Sequence, residues 1–197
     1  MKGILYIARV VVSLIYLLCN LLTVKFFFPF EGPFPRIRGY VVRSGRGRLI
    51  VGDSCIINSN TTRNPVGLGK RTMFYIARHA QIVIGSNVGI STSLLYARSK
   101  IVIEDNVLIG GGCQVLDSDF HSLDYWERVH NGDNMSKSLP IVIQEGAFVG
   151  ASSIILKGVT IGKHSIVAAG SVVSKSIPAG EIWGGNPAKF IRKTEEE

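Results

Sequence analysis

Between residues 141 and 173, aliphatic side chains recur every six positions, at Ile143, Val149, Ile155, Ile161, Val167 and Val173. Two residues ahead of each stands a second regular position. It is small or slim at Ala147, Ser153, Val159, Ser165 and Ser171, with Ile141 the exception. A helix repeats its apolar face at about 3.6 residues and a strand at 2, so neither explains this spacing. A six-residue period predicts a parallel β-helix. Each hexapeptide supplies one short strand and one corner, and three close one turn of a triangular prism. The aliphatic residue points inward and stacks on its equivalents above and below, while the small residue sits beside the tight corner. Successive turns then pair through their backbones at about 4.8 Å.

The same pattern is readable earlier, in Leu49, Val51, Cys55 and Ile57, in Ile82, Ile84, Val88 and Ile90, and in Ile101, Ile103, Val107, Ile109, Cys113 and Val115. A one-residue slip precedes Ile101 and reads as an insertion at a corner, tolerable where each turn touches only its neighbours. Residues 43–48 read as a basic, glycine-broken turn. Residues 60–70 carry no period and are expected to loop out. Residues 117–140 interrupt the repeat for longer, and long non-repeat loops in compact domains are usually functional.

Residues 1–38 differ in kind. The stretch 10–24 is nearly all apolar, broken by Ser13, Asn20 and Thr23, with Lys2 and Arg9 before it and Lys25 and Phe26, Phe27 and Phe28 after it. The run is shorter than the ~20 residues of a spanning helix, and no small-residue cleavage site of a secretory signal follows it. Two placements are open: a helix in the membrane interface with basic residues at the headgroups, or a helix packed on the solenoid or a neighbouring subunit. Pro29, Pro33 and Pro35 end the helix and make an extended connector. The expected organisation is a hydrophobic helix and connector over 1–38, then the β-helix over 39–193 with its loop at 117–140 and an extension at 176–193.

Composition narrows the choices. With 197 residues, 46% hydrophobic and 18% charged, the chain is long and apolar enough for a full core and is not disordered. The net charge is +8, and residues 1–48 hold eight Lys or Arg against Glu31. No basic helix with interleaved aromatics or other nucleic-acid motif accompanies this patch, so an anionic membrane surface is the better partner. Three cysteines make no disulfide framework. Cys55 and Cys113 fall in the small-residue slot and read as core. Reduced thiols suggest the cytoplasm, with the inner face of its membrane as the site of any lipid contact.

The interrupting loop is the first place to look for chemistry. It holds His121, His130, Trp126 and five acids. A histidine is a natural general base near neutral pH, and Asp119 and Asp124 stand close to His121. His79 and His164 fall at or near expected corners. No nucleophile elbow, P-loop or metal-spaced His/Cys set is present.

The hexapeptide run, the sequence Asp119-Phe120-His121, the stretch Ala169-Gly170-Ser171-Val172-Val173 and the ending Gly185-Asn186-Pro187-Ala188-Lys189 together resemble the left-handed β-helix acyltransferases. The nearest branch is the maltose, galactoside and xenobiotic O-acetyltransferases, with those of capsular and surface polysaccharides. The resemblance covers about residues 49–193. It implies a left-handed coil, a homotrimer with active sites between subunits, acetyl-CoA as co-substrate, and no metal. His121 would deprotonate an acceptor hydroxyl, with backbone N–H groups stabilising the oxyanion. Asp133, after Asn131-Gly132, matches the carboxylate that orients the histidine, and Asp119 is its rival. Ala169, Gly170 and Ser171 match the strand along the pantetheine arm, and Lys175, Lys189 and Arg192 the basic end that meets coenzyme A phosphates. Trp126 in the loop and Phe148, where relatives often carry tryptophan, are the candidate acceptor contacts. The apolar N-terminus departs from soluble sugar acetyltransferases and suits a surface glycan precursor. An amino-sugar or xenobiotic acceptor, a zinc carbonic anhydrase and a non-catalytic scaffold are the alternatives. The four histidines lack the paired spacing that such an anhydrase requires.

Overall fold

The computed structural model describes residues 2–22, 31–60, 65–67, 71–131 and 137–194. A helix, α1 (Lys2–Asn20), precedes a left-handed parallel β-helix whose three faces follow the six-residue period. The five-stranded face stacks Arg48–Val51, Gln81–Ile84, Lys100–Ile103, Ile141–Ile143 and Thr160–Ile161. The six-stranded face runs from Val42–Ser44 to Val172–Val173, and the eight-stranded face from Arg36–Gly39 to a closing hairpin of Glu181–Gly185 and Ala188–Lys193. Among the described residues all pairings between coils are parallel, and the terminal hairpin is antiparallel.

Every aliphatic residue of the sequence period points inward. Ile143, Val149, Ile155, Ile161, Val167 and Val173 are fully buried, as are the slim residues Ser153, Ser165 and Ser171. The slim positions are polar because they serve the corners: the Ser153 hydroxyl donates to the Ala168 carbonyl (3.1 Å), and that of Ser165 to the Pro178 carbonyl (2.6 Å). Cys55 and Cys113 lie in the core, where burial pushes both thiols above their ordinary pKa and away from the reactive thiolate.

The first strand, Arg36–Gly39, opens just before the period becomes readable, because only Ile37 in it is an inward aliphatic. Arg43, read from the sequence as part of a basic turn, instead occupies an inward position in the strand Val42–Ser44, in register with the core residue Phe74. Its guanidinium donates to the Gly47 carbonyl (2.8 Å), and burial lowers its pKa. The slip before Ile101 is a corner at Arg98 and Ser99, and its extra backbone donors have a partner described below. Residues 61–64 and 68–70 of the second non-periodic stretch lie outside the described residues; Pro65–Gly67 forms a 3-10 turn against Thr92.

Candidate active site

The loop leaves the corner between the six- and five-stranded faces, and its root is tightly held. Asp117 is completely buried and accepts hydrogen bonds from the backbone N–H groups of Arg98 and Ser99, both at 2.7 Å. One carboxylate thereby satisfies the donors of Arg98 and Ser99, the two residues by which this corner of the coil below is longer than its equivalent between Ile155 and Val159. Burial still outweighs these bonds and holds its carboxyl above the usual carboxylate range. The returning chain closes the root: Leu139 N–H donates to the Asp117 carbonyl (2.9 Å), and Asp119 N–H to the Lys137 carbonyl (3.1 Å).

His121 is set by a strained neighbour. Phe120 has φ +67, the left-handed region that bulky side chains avoid. Its exposed ring is met by Tyr96 at 4.6 Å between centroids, and Tyr96 stacks on Tyr75 at 4.3 Å, so an aromatic ladder of three coils supports the turn. His121 N–H donates to the Asp119 carbonyl (2.8 Å), and its side chain is exposed. The Asp119 carboxylate forms a half-buried ion pair with Lys157. Asp133 lies outside the described residues. Beyond His121 a short helix, α2 (Tyr125–His130), is capped by Asp124, whose carboxylate accepts from Glu127 N–H (3.0 Å). Trp126 stands on it, 66% exposed, its ring 4.8 Å from that of His130. Asp119, Ser122, Leu123, Asp124, Glu127 and Lys137 line a cavity of about 370 Å³.

A second cleft, of about 300 Å³, lies where the last strand of the six-stranded face meets the hairpin. Lys175, Trp183, Pro187, Lys189 and Phe190 line it. The register Leu116 to Leu156 and Ile155 to Val173, carried on by a residue or two, puts Asp117, Lys157 and Lys175 in one column. The basic cleft therefore stands on the same corner as the loop root, about 10 Å above it at two strand spacings. The Ser171 hydroxyl donates to the Ala168 carbonyl (2.6 Å) and accepts from Gly185 N–H (3.2 Å), joining the corner Ala169–Gly170 to the hairpin. Gly170 has φ +73, and a Cβ there would meet nothing within 4 Å, so this corner borders open space. Arg192 lies farther along the outer strand, where it donates to the Lys193 carbonyl (3.1 Å). Phe148 is on the eight-stranded face, away from the loop's corner. It sits beside Leu108, and the two are 42% and 54% exposed. Within one chain the structure joins Lys175 with Lys189, and His121 with Asp119, but not Phe148 with His121.

Residues 140–175 match the bacterial transferase hexapeptide family (six repeats), and residues 100–115 match the hexapeptide repeat of succinyl-transferase. The matched stretches fall on the coils that carry the six-residue period, so the repeat of this chain is the hexapeptide repeat found in such transferases. It is similar to gamma carbonic anhydrase 2, mitochondrial, of Arabidopsis thaliana: 32% identical over 136 residues, covering 62% of this chain and 49% of that protein. It is also 48% identical over 58 residues to the 2,3,4,5-tetrahydropyridine-2,6-dicarboxylate N-acetyltransferase of Clostridium perfringens, covering 29% of this chain and 25% of the relative. The chain thus spans half or less of the length of these relatives. Among solved structures, a hexapeptide-repeat acetyltransferase of Vibrio cholerae O1 biovar eltor, complexed with acetyl coenzyme A, superposes with a TM-score of 0.55 at 26% identity. It covers 92% of this chain and 76% of that one.

Among the described residues no three His, Cys, Asp or Glu side chains gather as a metal-binding group. Sequence reasoning missed Lys157 as the partner of Asp119, Asp117 as the clamp on the Arg98 corner, and the tyrosines beneath Phe120. Only the interruption of the period at Asp117 hinted at any of them.

Proposed function

We propose that the chain transfers an acetyl group from acetyl-CoA to a sugar hydroxyl of a surface polysaccharide or its precursor. The observation that carries this reading is the sharing of one prism corner by the His121 loop and the Lys175–Lys189 cleft. The thioester supplies an activated acyl group. The two ammonium groups suit the phosphates of its carrier, two coils above the loop root on the same corner. His121 takes the proton from the acceptor hydroxyl. Because Asp119 is engaged by Lys157, Asp133 is the better orienting carboxylate for His121. A homotrimer would cover the outward pair Leu108 and Phe148 and bring a neighbour's surface to the loop; Trp126, exposed on α2, is the acceptor contact from this chain.

The test is coenzyme A release from acetyl-CoA with a panel of sugars, amino sugars and glycan precursors. His121→Ala should lower an acceptor-dependent rate by about 10²–10⁴-fold. A preference for amines would move the reading to N-acetylation, toward the Clostridium relative. Likeness to the carbonic anhydrase favours a second reading, hydration of carbon dioxide, which the same preparation tests without acetyl-CoA. No turnover and no thermal stabilisation by coenzyme A would leave a scaffold.

A further inference from the structure

Helix α1 is amphipathic in the opposite sense from an ordinary surface helix. One face carries Ser13, Tyr16 and Asn20 at helical spacing and, with Leu17, borders the first strand at Ile37–Gly39; Asn20 is buried and Tyr16 half-buried there, while Ser13 stays exposed. The Asn20 amide donates to the Gly39 carbonyl (2.7 Å), and its carbonyl oxygen accepts from Val41 N–H (3.0 Å), locking the end of α1 onto the first coil. The opposite face carries Ile7, Val11, Leu14, Ile15 and Leu18, one stripe at i, i+4, i+7, i+8 and i+11, and each is between 48% and 62% exposed. A helix that spends its polar face on its own protein and presents its apolar face outward has a ligand elsewhere.

Charge says which. The first eighty residues hold twelve Lys or Arg against Glu31 and Asp53, a balance of +10. The whole chain is +8, so the rest is −2. Glu31 is already matched to Arg48 at 2.7 Å. Arg36 and Arg46 on the first coil and Arg71 and Arg78 on the next are exposed. Two copies meeting through α1 would press two basic ends together, and a nucleic acid offers nothing to the apolar stripe. Among the described residues no helix is long and apolar enough to cross a membrane.

We propose that α1 lies in the interface of an anionic bilayer, its Ile7–Leu18 stripe among the acyl chains and the arginines of the first two coils at the headgroups. The Asn20 lock makes this attachment rigid, with the His121 loop root three coils up, about 15 Å from the first. The proposal is independent of the chemistry above.

Flotation of the full chain with phosphatidylcholine vesicles, with and without 30% phosphatidylglycerol, tests it. The wild type should float with the anionic vesicles and weaken as salt rises. Leu14→Asp/Leu18→Asp should lower the bound fraction at least about tenfold while leaving the thermal transition in place. Arg36→Glu/Arg46→Glu should erase the difference between the two vesicle types. A wild type that stays out of both floating fractions, or a double Asp variant that floats as well as wild type, overturns the proposal. A mass in lipid-free sedimentation that drops with the double Asp variant, in a protein that does not float, would assign the stripe to a second copy instead.

Discussion

Helix α1 and the five-stranded face of the prism are both built from aliphatic residues, yet Ile101, Ile103, Ile141, Ile143 and Ile161 are sealed from water while Ile7, Leu14, Ile15 and Leu18 are more than half exposed. Hydrophobicity does not separate them; geometry does. A residue at the six-residue period meets its own equivalent one coil away, so the repeat supplies its own burial partner. The helix repeats at 3.6, and the prism takes its narrower polar side through Asn20, leaving the wider apolar side without an equivalent among the described residues.

Truncation inside the prism should have the largest effect. Ile161→Ala should cost about 2–5 kcal/mol in denaturant unfolding, since it opens a void in a column running from Val51 through Ile84, Ile103 and Ile143. A cost below about 1 kcal/mol would break the comparison, because the columns would then not be close-packed.

The polar clamp comes next. Asp117→Asn replaces one acceptor oxygen with a donor facing Arg98 or Ser99 N–H, and should cost about 1–3 kcal/mol. The pH dependence has a definite sign. Because the folded carboxyl is held above its ordinary value, the native state keeps this proton to higher pH than the unfolded chain. The stabilisation is complete below the unfolded value of about 4 and is lost as pH rises through the raised folded value. Asparagine does not titrate, so the deficit of Asp117→Asn should be widest in acid and narrow as pH rises; unfolding curves across that interval check it.

The smallest effect is the most telling for the helix. Leu14→Ala, without lipid, should change stability by no more than about 0.5 kcal/mol, although leucine is lost in both senses that matter in a core. A loss comparable to Ile161→Ala would mean that the stripe is buried in solution against another copy.

How much of this was legible beforehand follows the same division. The inward columns, the buried Cys55 and Cys113, the slip before Ile101 and the loop beginning at Asp117 all come from spacing along the chain, and the structure bears them out. Arg43 was misread because its type overrode its position: it stands in register with Phe74, where other coils place an aliphatic residue. The candidate site was only half visible. His121 stood out by type and loop, and Lys175 and Lys189 by resemblance, but their common corner depends on the register of Leu116, Leu156 and Val173, which no local pattern contains.

By itself the sequence determined the coil: a period of six is a property of neighbours in the chain, and backbone pairing between successive turns needs no more than that period to propagate. The tertiary structure decided who meets whom across coils. Asp119 and Lys157 are 38 residues apart and Asn20 and Val41 are 21 apart. Such pairs form only after stacking has set the register, and it is they that hold the His121 loop and turn the apolar face of α1 outward.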